Sequence, residues 1–245
     1  MREYVERAIA AGITEMGFSD HAPWRTRNGP HETAWGRQWT YCVYAEDVPD
    51  YFAEVKALRE EYADRIRLYA GFETEYFPGS FPERLDELRA FGAEYLILGN
   101  HFIHDENGEE FYVYGKHDRT DLLPLYVDAV IEAMETGAFT YVAHPDLFTY
   151  LEEDERYRTQ MRRLCEASRA TGVPLEINFL GIRDGRAYPS DRFFRIAGEV
   201  GAPVTFGMDA HDTYAAFDEA SLPVAVAMVE RYGLNYVGKP KLVLI

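Results

Sequence analysis

Short apolar runs rich in β-branched and aromatic residues alternate along the chain with longer segments of helical period, which predicts parallel strands joined by crossover helices. Six strands are read: Glu15 to Asp20, Ile66 to Phe72, Tyr95 to Asn100, Thr140 to Ala143, Pro174 to Phe179 and Pro203 to Met208. Helices are expected near 2–11, 46–62, 81–91, 121–136, 155–171, 190–200 and 214–231. Ser80 before Phe81-Pro82 marks a helix start, and Gly92, Gly137, Gly172 and Gly201 stand just after helix ends, where a left-handed residue stops the turn. No linker, low-complexity tract or repeat divides residues 1–245, so the chain reads as one α/β domain, a closed or nearly closed β/α barrel. Two strand-to-helix loops are long: 22–45, with Trp24, Trp35, Trp39 and several arginines, and 102–120, with Asp105, Glu106, Glu109 and Glu110. Loops of this length are functional or disordered, and the tryptophans argue against disorder in the first.

Composition narrows the partners. With 245 residues, 47% of them apolar, the chain can bury a sizeable core, which excludes disorder as its main state. Against 42 acidic residues stand 25 basic ones, a net charge of −17, with no basic block anywhere. That field repels a nucleic-acid backbone and an anionic membrane, so neither is expected as a partner. Cys42 and Cys165 lie far apart without a CxxC, which excludes a disulfide scaffold and a cysteine-rich zinc site and fits a reducing cytoplasm. The first ten residues carry charge every few positions, so they form neither a signal peptide nor a membrane span, and a cytoplasmic protein is expected. Oligomeric state is not set by these features.

The chemistry lies in where the histidines fall. Of seven, four stand at or just beyond the C-terminal end of an expected strand: His21, His101, His144 and His211. A fifth strand delivers Glu73, and the last delivers Asp209 two positions before His211. In a β/α barrel all strand C-termini open onto one face, so these six side chains converge on one mouth. Neutral imidazoles and carboxylates gathered in this way suit divalent cations such as Zn²⁺, Mn²⁺ or Fe²⁺. A lone histidine near a strand end is more often structural than a ligand, and Glu73 with Glu75 would otherwise read as a solvated rim. The joint event tips the balance, because five of the six strands end in a metal-competent residue. His31, His104 and His117 lie in the long loops and read as surface residues.

The strings Ser19-Asp20-His21-Ala22-Pro23, Gly71-Phe72-Glu73-Thr74-Glu75-Tyr76, Leu98-Gly99-Asn100-His101-Phe102, Ala143-His144-Pro145-Asp146 and Gly207-Met208-Asp209-Ala210-His211 resemble successive motifs of the PHP (polymerase and histidinol phosphatase) superfamily, in its order and at similar spacing. Leu175-Glu176-Ile177-Asn178-Phe179-Leu180-Gly181-Ile182-Arg183, followed by Tyr188-Pro189, further resembles the histidinol-phosphatase branch. The resemblance implies a distorted seven-stranded, TIM-like (β/α)7 barrel with up to three metal ions, and hydrolysis of a small phosphate monoester, most typically L-histidinol phosphate in histidine biosynthesis. It further implies that Glu73 bridges two metals, that His101 and His144 complete one site, that His21 and His211 hold a second, and that Asp209 belongs to the third. Glu73, Asp209 and His211 are thereby the catalytic candidates, with the proton to the leaving group assigned to Asp209 or His211. Arg183 matches an arginine that meets the substrate phosphate, with an exposed loop arginine as the alternative.

The chain departs from the family pattern at its start. The family opens with a strand ending in His-x-His, whereas this sequence begins inside the first expected helix, so the first strand and about three ligands are read as missing through truncation, such as a start codon assigned too late. The strand-like run Leu242-Val243-Leu244-Ile245 could fill the gap in the sheet but brings no histidine. Two rivals to histidinol phosphate hydrolysis follow. One is a related phosphoesterase acting on nucleotides or phosphotyrosine, its substrate set by Trp24, Arg25, Arg27, Trp35 and Trp39 in the first long loop. The other is a non-catalytic metal-binding domain with fewer cations.

Overall fold

The computed structural model describes residues 1–23, 42–105, 107–115, 119–151 and 155–245. Trp24, Arg25, Arg27, His31, Trp35, Trp39, Glu106 and His117 lie outside the described residues.

In chain order the elements are α1 (Arg2–Ala10), β1 (Glu15–His21), α2 (Val48–Glu61), β2 (Arg67–Thr74), α3 (Phe81–Phe91), β3 (Tyr95–Leu98), β4 (Phe102–His104), β5 (Glu110–Tyr112), α4 (Leu122–Glu135), β6 (Phe139–Val142), α5 (Glu155–Thr171), β7 (Leu175–Asn178), α6 (Phe179–Asp184), α7 (Asp191–Val200), β8 (Pro203–Gly207), α8 (Leu222–Tyr232) and β9 (Asn235–Tyr236). Seven strands form one sheet in the order β1-β2-β3-β6-β7-β8-β9, and every ladder in it is parallel. All six expected strands are present, joined by the short β9.

The alternation of side chains along each strand sorts the sheet into two faces. On the outer face Leu68, Phe72, Leu96, Leu175, Ile177 and Val204 pack into the main core beneath the helices. Tyr69, Tyr95, Ile97, Tyr141, Ala143 and Leu242 form a second, smaller cluster inside the curl of the sheet. Tyr95 crosses this interior to meet Ser19 Oγ at 2.6 Å and to donate to the Phe18 carbonyl at 3.0 Å. It can do so because Gly17 and Gly71 carry no side chain; a Cβ at Gly17 would lie 2.2 Å from the Tyr95 hydroxyl.

The two edges of the sheet approach each other. Lys239 Nζ, just past β9, donates to Glu15 Oε2 at the start of β1 over 2.6 Å. Among the described residues no backbone ladder joins β9 to β1, so side chains and not a hydrogen-bonded ladder bring the barrel towards closure.

Three expectations are corrected. The loop 102–120 contains a hairpin, β4 paired antiparallel with β5. The helix read over 214–231 is broken: Thr213–Ala216 form a single 3-10 turn and α8 starts at Leu222. Pro223 enforces the break, since it has no N–H and its ring would clash with the carbonyl four residues back in a continuous helix. Ser80 occupies the N-cap position of α3 as expected, without a side-chain cap bond. The run Leu242–Ile245 adds no strand to the main sheet. It crosses the N-terminal ends of β3 and β6 instead, through one antiparallel bridge from Leu244 to Tyr95 and a bond from Val243 N–H to Thr140 Oγ1. The glycine stops hold as read: Gly92, Gly137, Gly172 and Gly201 all have φ between 69° and 98°.

Candidate metal centre

At the C-terminal ends of the inner face, aromatic filling gives way to ionisable groups. β1 ends on His21 and pairs it in register with Glu73 of β2. Glu73 can lean across the sheet because the residue just past the end of β3 is Gly99, where a Cβ would lie 1.8 Å from Glu73 Oε1. Its two oxygens then face different partners. Oε1 lies 3.1 Å from His144 Nε2 and 3.6 Å from His101 Nε2, whereas Oε2 lies 3.8 Å from His21 Nδ1. One buried carboxylate therefore sits among three imidazoles, and His21, Glu73 and His101 each offer a ligand atom within 4.8 Å of the others.

A neighbouring carboxylate fixes the His101 ring. Glu75, read as a possible solvated rim residue, is buried; it accepts the backbone N–H of His101 at 2.7 Å and meets His101 Nδ1 at 2.8 Å. A proton on Nδ1 leaves Nε2 as a lone pair facing Glu73, the tautomer that a metal ligand needs. His144 receives no such support. Its Nδ1 is buried without a hydrogen-bond partner, and its backbone φ is +31°. Asp209, at +45°, is the other non-glycine residue with positive φ among the described residues. Strained backbone confined to two expected ligands marks a site held in place by its surroundings.

Asp209 and His211 stand at the rim beyond β8. His211 is half-exposed, its Nδ1 is 3.3 Å from Asp209 Oδ1, and its ring centroid lies 6.2 Å from that of His21. Asp209 joins the centre through Asn178, whose Nδ2 donates to Asp209 Oδ2 at 2.9 Å and to Glu176 Oε2 at 2.8 Å. Glu176 in turn accepts the His144 backbone N–H at 2.8 Å. It fits because Gly207, the β8 partner of Asn178, carries no side chain; a Cβ there would lie 1.7 Å from Glu176 Oε1. All six expected ligands are thus gathered at one end of the sheet. Arg183 is not drawn in among them: its Nη1 donates to Asp218 Oδ2 at 3.2 Å, and its Nε is buried without a hydrogen bond. His104, expected in a surface loop, is exposed on strand β4, 3.6 Å from Glu110.

The electrostatics show an anionic basin seeking cations. Burial tends to raise the Glu73 carboxyl, but His21, His144 and His101 outweigh it and hold the group well below the ordinary carboxylate range. Burial pushes His21 down to about 4. The same burial opposes charge on His144, yet the bond to Glu73 and the charges of Glu73, Asp209 and Glu176 raise it to about 9. In the metal-free chain a proton on His144 therefore compensates Glu73, in the place where a cation would do so more fully. Glu176 is pushed up to about 7 and Asp146 to about 6, both by burial. The donor set, the orphaned His144 Nδ1 and the doubly engaged Glu73 all fit divalent metal.

The buried Glu75, Glu176, Asn178 and Asp146 were not singled out from the sequence. A signal existed in β7, where Glu176 and Asn178 alternate with Leu175 and Ile177, which puts two polar residues on the inner face of a buried strand. None existed for Glu75, whose burial depends on the fold around His101.

Residues 1–179 match the family model described as PHP domain. A curated relative from Deinococcus radiodurans, named "Probable histidinol-phosphatase", is 30% identical over 86% of this chain and 79% of its own length. The solved hisK chain of Listeria monocytogenes superposes with a TM-score of 0.70 at 18% identity, covering 90% of this chain and 92% of that one. Histidinol phosphate phosphatase of Lactococcus lactis subsp. lactis Il1403, solved with zinc, L-histidinol and phosphate, superposes with a TM-score of 0.66 at 19% identity, covering 96% of this chain and 88% of that one.

Proposed function

We propose, from the premise that the chain belongs to the PHP domain family, that it is a metal-dependent phosphomonoester hydrolase whose substrate is L-histidinol phosphate. The observation that carries this reading is the position of Glu73, with one oxygen towards His101 and His144 and the other towards His21. A carboxylate so placed can serve two cations at once. His21, Glu73, His101 and His144 would hold Zn²⁺, Mn²⁺ or Fe²⁺, and Asp209 and His211 would complete the set at the rim. Up to three ions are accommodated by the family's pattern.

Such cations draw charge off phosphate oxygens and make water acidic enough to act as a nucleophile near neutral pH. The protein's own contributions are positional. Glu75 keeps the His101 ring in one tautomer, and Glu176 holds the backbone of His144. Arg183, steadied by Asp218, offers its remaining guanidinium donors to the phosphate, a geometry its fork suits. Asp209 and His211 form a pair at the exposed rim, from which either can pass a proton to the departing alkoxide. The net charge of −17 is compatible with an anionic substrate because the cations and Arg183 make a local positive well, and it disfavours nucleic-acid and membrane partners.

Among the described residues no helix is long and apolar enough to cross a membrane. Cys42 and Cys165 are free and buried, which supports a reducing cytoplasm as the place of action.

The substrate is tested by comparing turnover of L-histidinol phosphate with that of nucleoside monophosphates, phosphotyrosine and phosphodiesters. We expect kcat/KM for histidinol phosphate to exceed the others by at least about tenfold, the scale that one well-placed contact can discriminate. Preference for a nucleotide or for phosphotyrosine would replace this substrate with the rival one. Tight metal binding without any hydrolysis would point to the non-catalytic reading.

A further inference from the structure

Asn178 closes β7 and is fully buried. Its side-chain amide is engaged in three directions: Nδ2 donates to Glu176 Oε2 and to Asp209 Oδ2, and Oδ1 accepts the Gly181 N–H at 2.8 Å, which caps α6. Two donors and an acceptor on one short, planar group are what an amide provides and neither of its isosteres does. A carboxylate at 178 would place a third acceptor against Glu176 and Asp209; a leucine would leave those oxygens and the Gly181 N–H unpaired in a buried setting.

Each direction leads to a residue of the site. Asp209 sits on backbone of positive φ, and Asn178 reaches its carboxylate from the adjacent strand. Gly181 lies in the first turn of α6, which carries Arg183 two residues on. A helix of six residues has little stability of its own and takes its placement from its cap and its packing. Glu176 passes the linkage to the backbone of His144.

We propose that Asn178 is a positioning residue that locks Asp209 and Arg183 into one arrangement, so that the metal-facing carboxylate and the phosphate-facing guanidinium are set by the same amide. The proposal rests on the reading of Asp209 as a metal ligand and of Arg183 as a phosphate contact.

Two substitutions separate its arms. Asn178→Ser keeps a short acceptor for the Gly181 N–H but loses the amide donors to Asp209 and Glu176, whereas Asn178→Leu removes all three links. Mn²⁺ retention is measured by chelator competition for wild type, Asn178→Ser, Asp209→Asn and the double variant, and inorganic phosphate affinity is measured on the metal-loaded proteins, with Arg183→Met for reference. Circular dichroism melts monitor folding. Asn178→Ser should weaken retention of the least tightly held ion by about 10- to 100-fold, the usual effect of removing a group that orients a metal ligand. In the Asp209→Asn background the same change should have a clearly smaller effect, because the link to Asp209 is already broken and only the link through Glu176 remains to be lost. Asn178→Leu should in addition weaken phosphate binding as Arg183→Met does. Wild-type Mn²⁺ retention in Asn178→Ser, or the same loss in both backgrounds, would overturn the proposal; so would unchanged phosphate affinity in a folded Asn178→Leu protein. If Asn178→Leu does not fold, the serine variant and its double decide. Metal retention is read without turnover, so a failure of the histidinol phosphate reading shows as absent hydrolysis with the Asn178→Ser metal effect intact.

Discussion

Glu73 and Glu176 share a device: each buried carboxylate occupies the space of a side chain that a glycine at or just past the end of the next strand lacks. Gly99→Ala should therefore push Glu73 away from its three imidazoles and lower metal content sharply while leaving the circular dichroism spectrum close to that of wild type. A control is Gly92→Ala, at a helix stop with φ of 98° and open space around it. That change should cost about 1 kcal/mol of stability through backbone strain and leave bound metal unchanged. Full metal content in Gly99→Ala would contradict the seating of Glu73.

The protons of the site give a second prediction at this scale. In the metal-free protein His144 is raised to about 9 and Glu176 to about 7, against ordinary values of 6.5 and 4.5. The folded chain thus keeps protons that the unfolded chain has already released, and the associated stability is lost as pH rises: between 4.5 and about 7 for Glu176, and between 6.5 and about 9 for His144. The melting temperature of chelator-treated protein should fall between pH 6.5 and 9, and metal loading should reduce the fall because a cation displaces the proton on His144. A flat or rising profile without metal would show that His144 does not hold its proton against Glu73.

Among the elements, α7 is tied to the site from its first turn. Ser190 caps it by accepting from the Phe193 N–H, and the Ser190 N–H donates to Asp146 Oδ2 at 2.6 Å, two residues past His144. Ser190→Ala should cost about 1 kcal/mol in a denaturant melt, with the Asp146 contact, made by the backbone, retained. A loss below about 0.3 kcal/mol would mean the cap bond adds little here. Elements written in a local pattern were legible from sequence: the six strands with their apolar runs, and the helices that stop on glycine. Three-residue strands such as β4 and β5 have too few positions to show a period, and α6 begins directly where β7 ends, with Asn178 serving both. The break before α8 was signalled by Pro223 and overridden by the apolar period around it. The candidate ligands could be read because each stands at the end of a recognisable strand. The burial of Glu75 could not, because the backbone of His101 and Phe102 that covers it comes from a distant part of the chain; for Glu176 the alternation of β7 gave the face but not the glycine that makes room for it.

For the whole molecule, the curl of the sheet sets the site by bringing the ends of β1, β2, β3, β6 and β8 around one opening. The Lys239–Glu15 pair joins the sheet edges at the surface, where solvent screens such ion pairs, so Lys239→Ala should leave both stability and metal content nearly unchanged. The packed interior of Tyr95, Ile97 and Tyr141 holds the barrel's shape, and the metal centre rests on top of it. The most direct test of this account is phosphate release from L-histidinol phosphate by the metal-loaded protein, by the same protein after chelation, and by Glu73→Gln, with bound metal quantified in each. The account predicts turnover in the first alone, with metal lost in the Glu73→Gln variant. Undiminished turnover in Glu73→Gln, or after complete removal of metal, would contradict it.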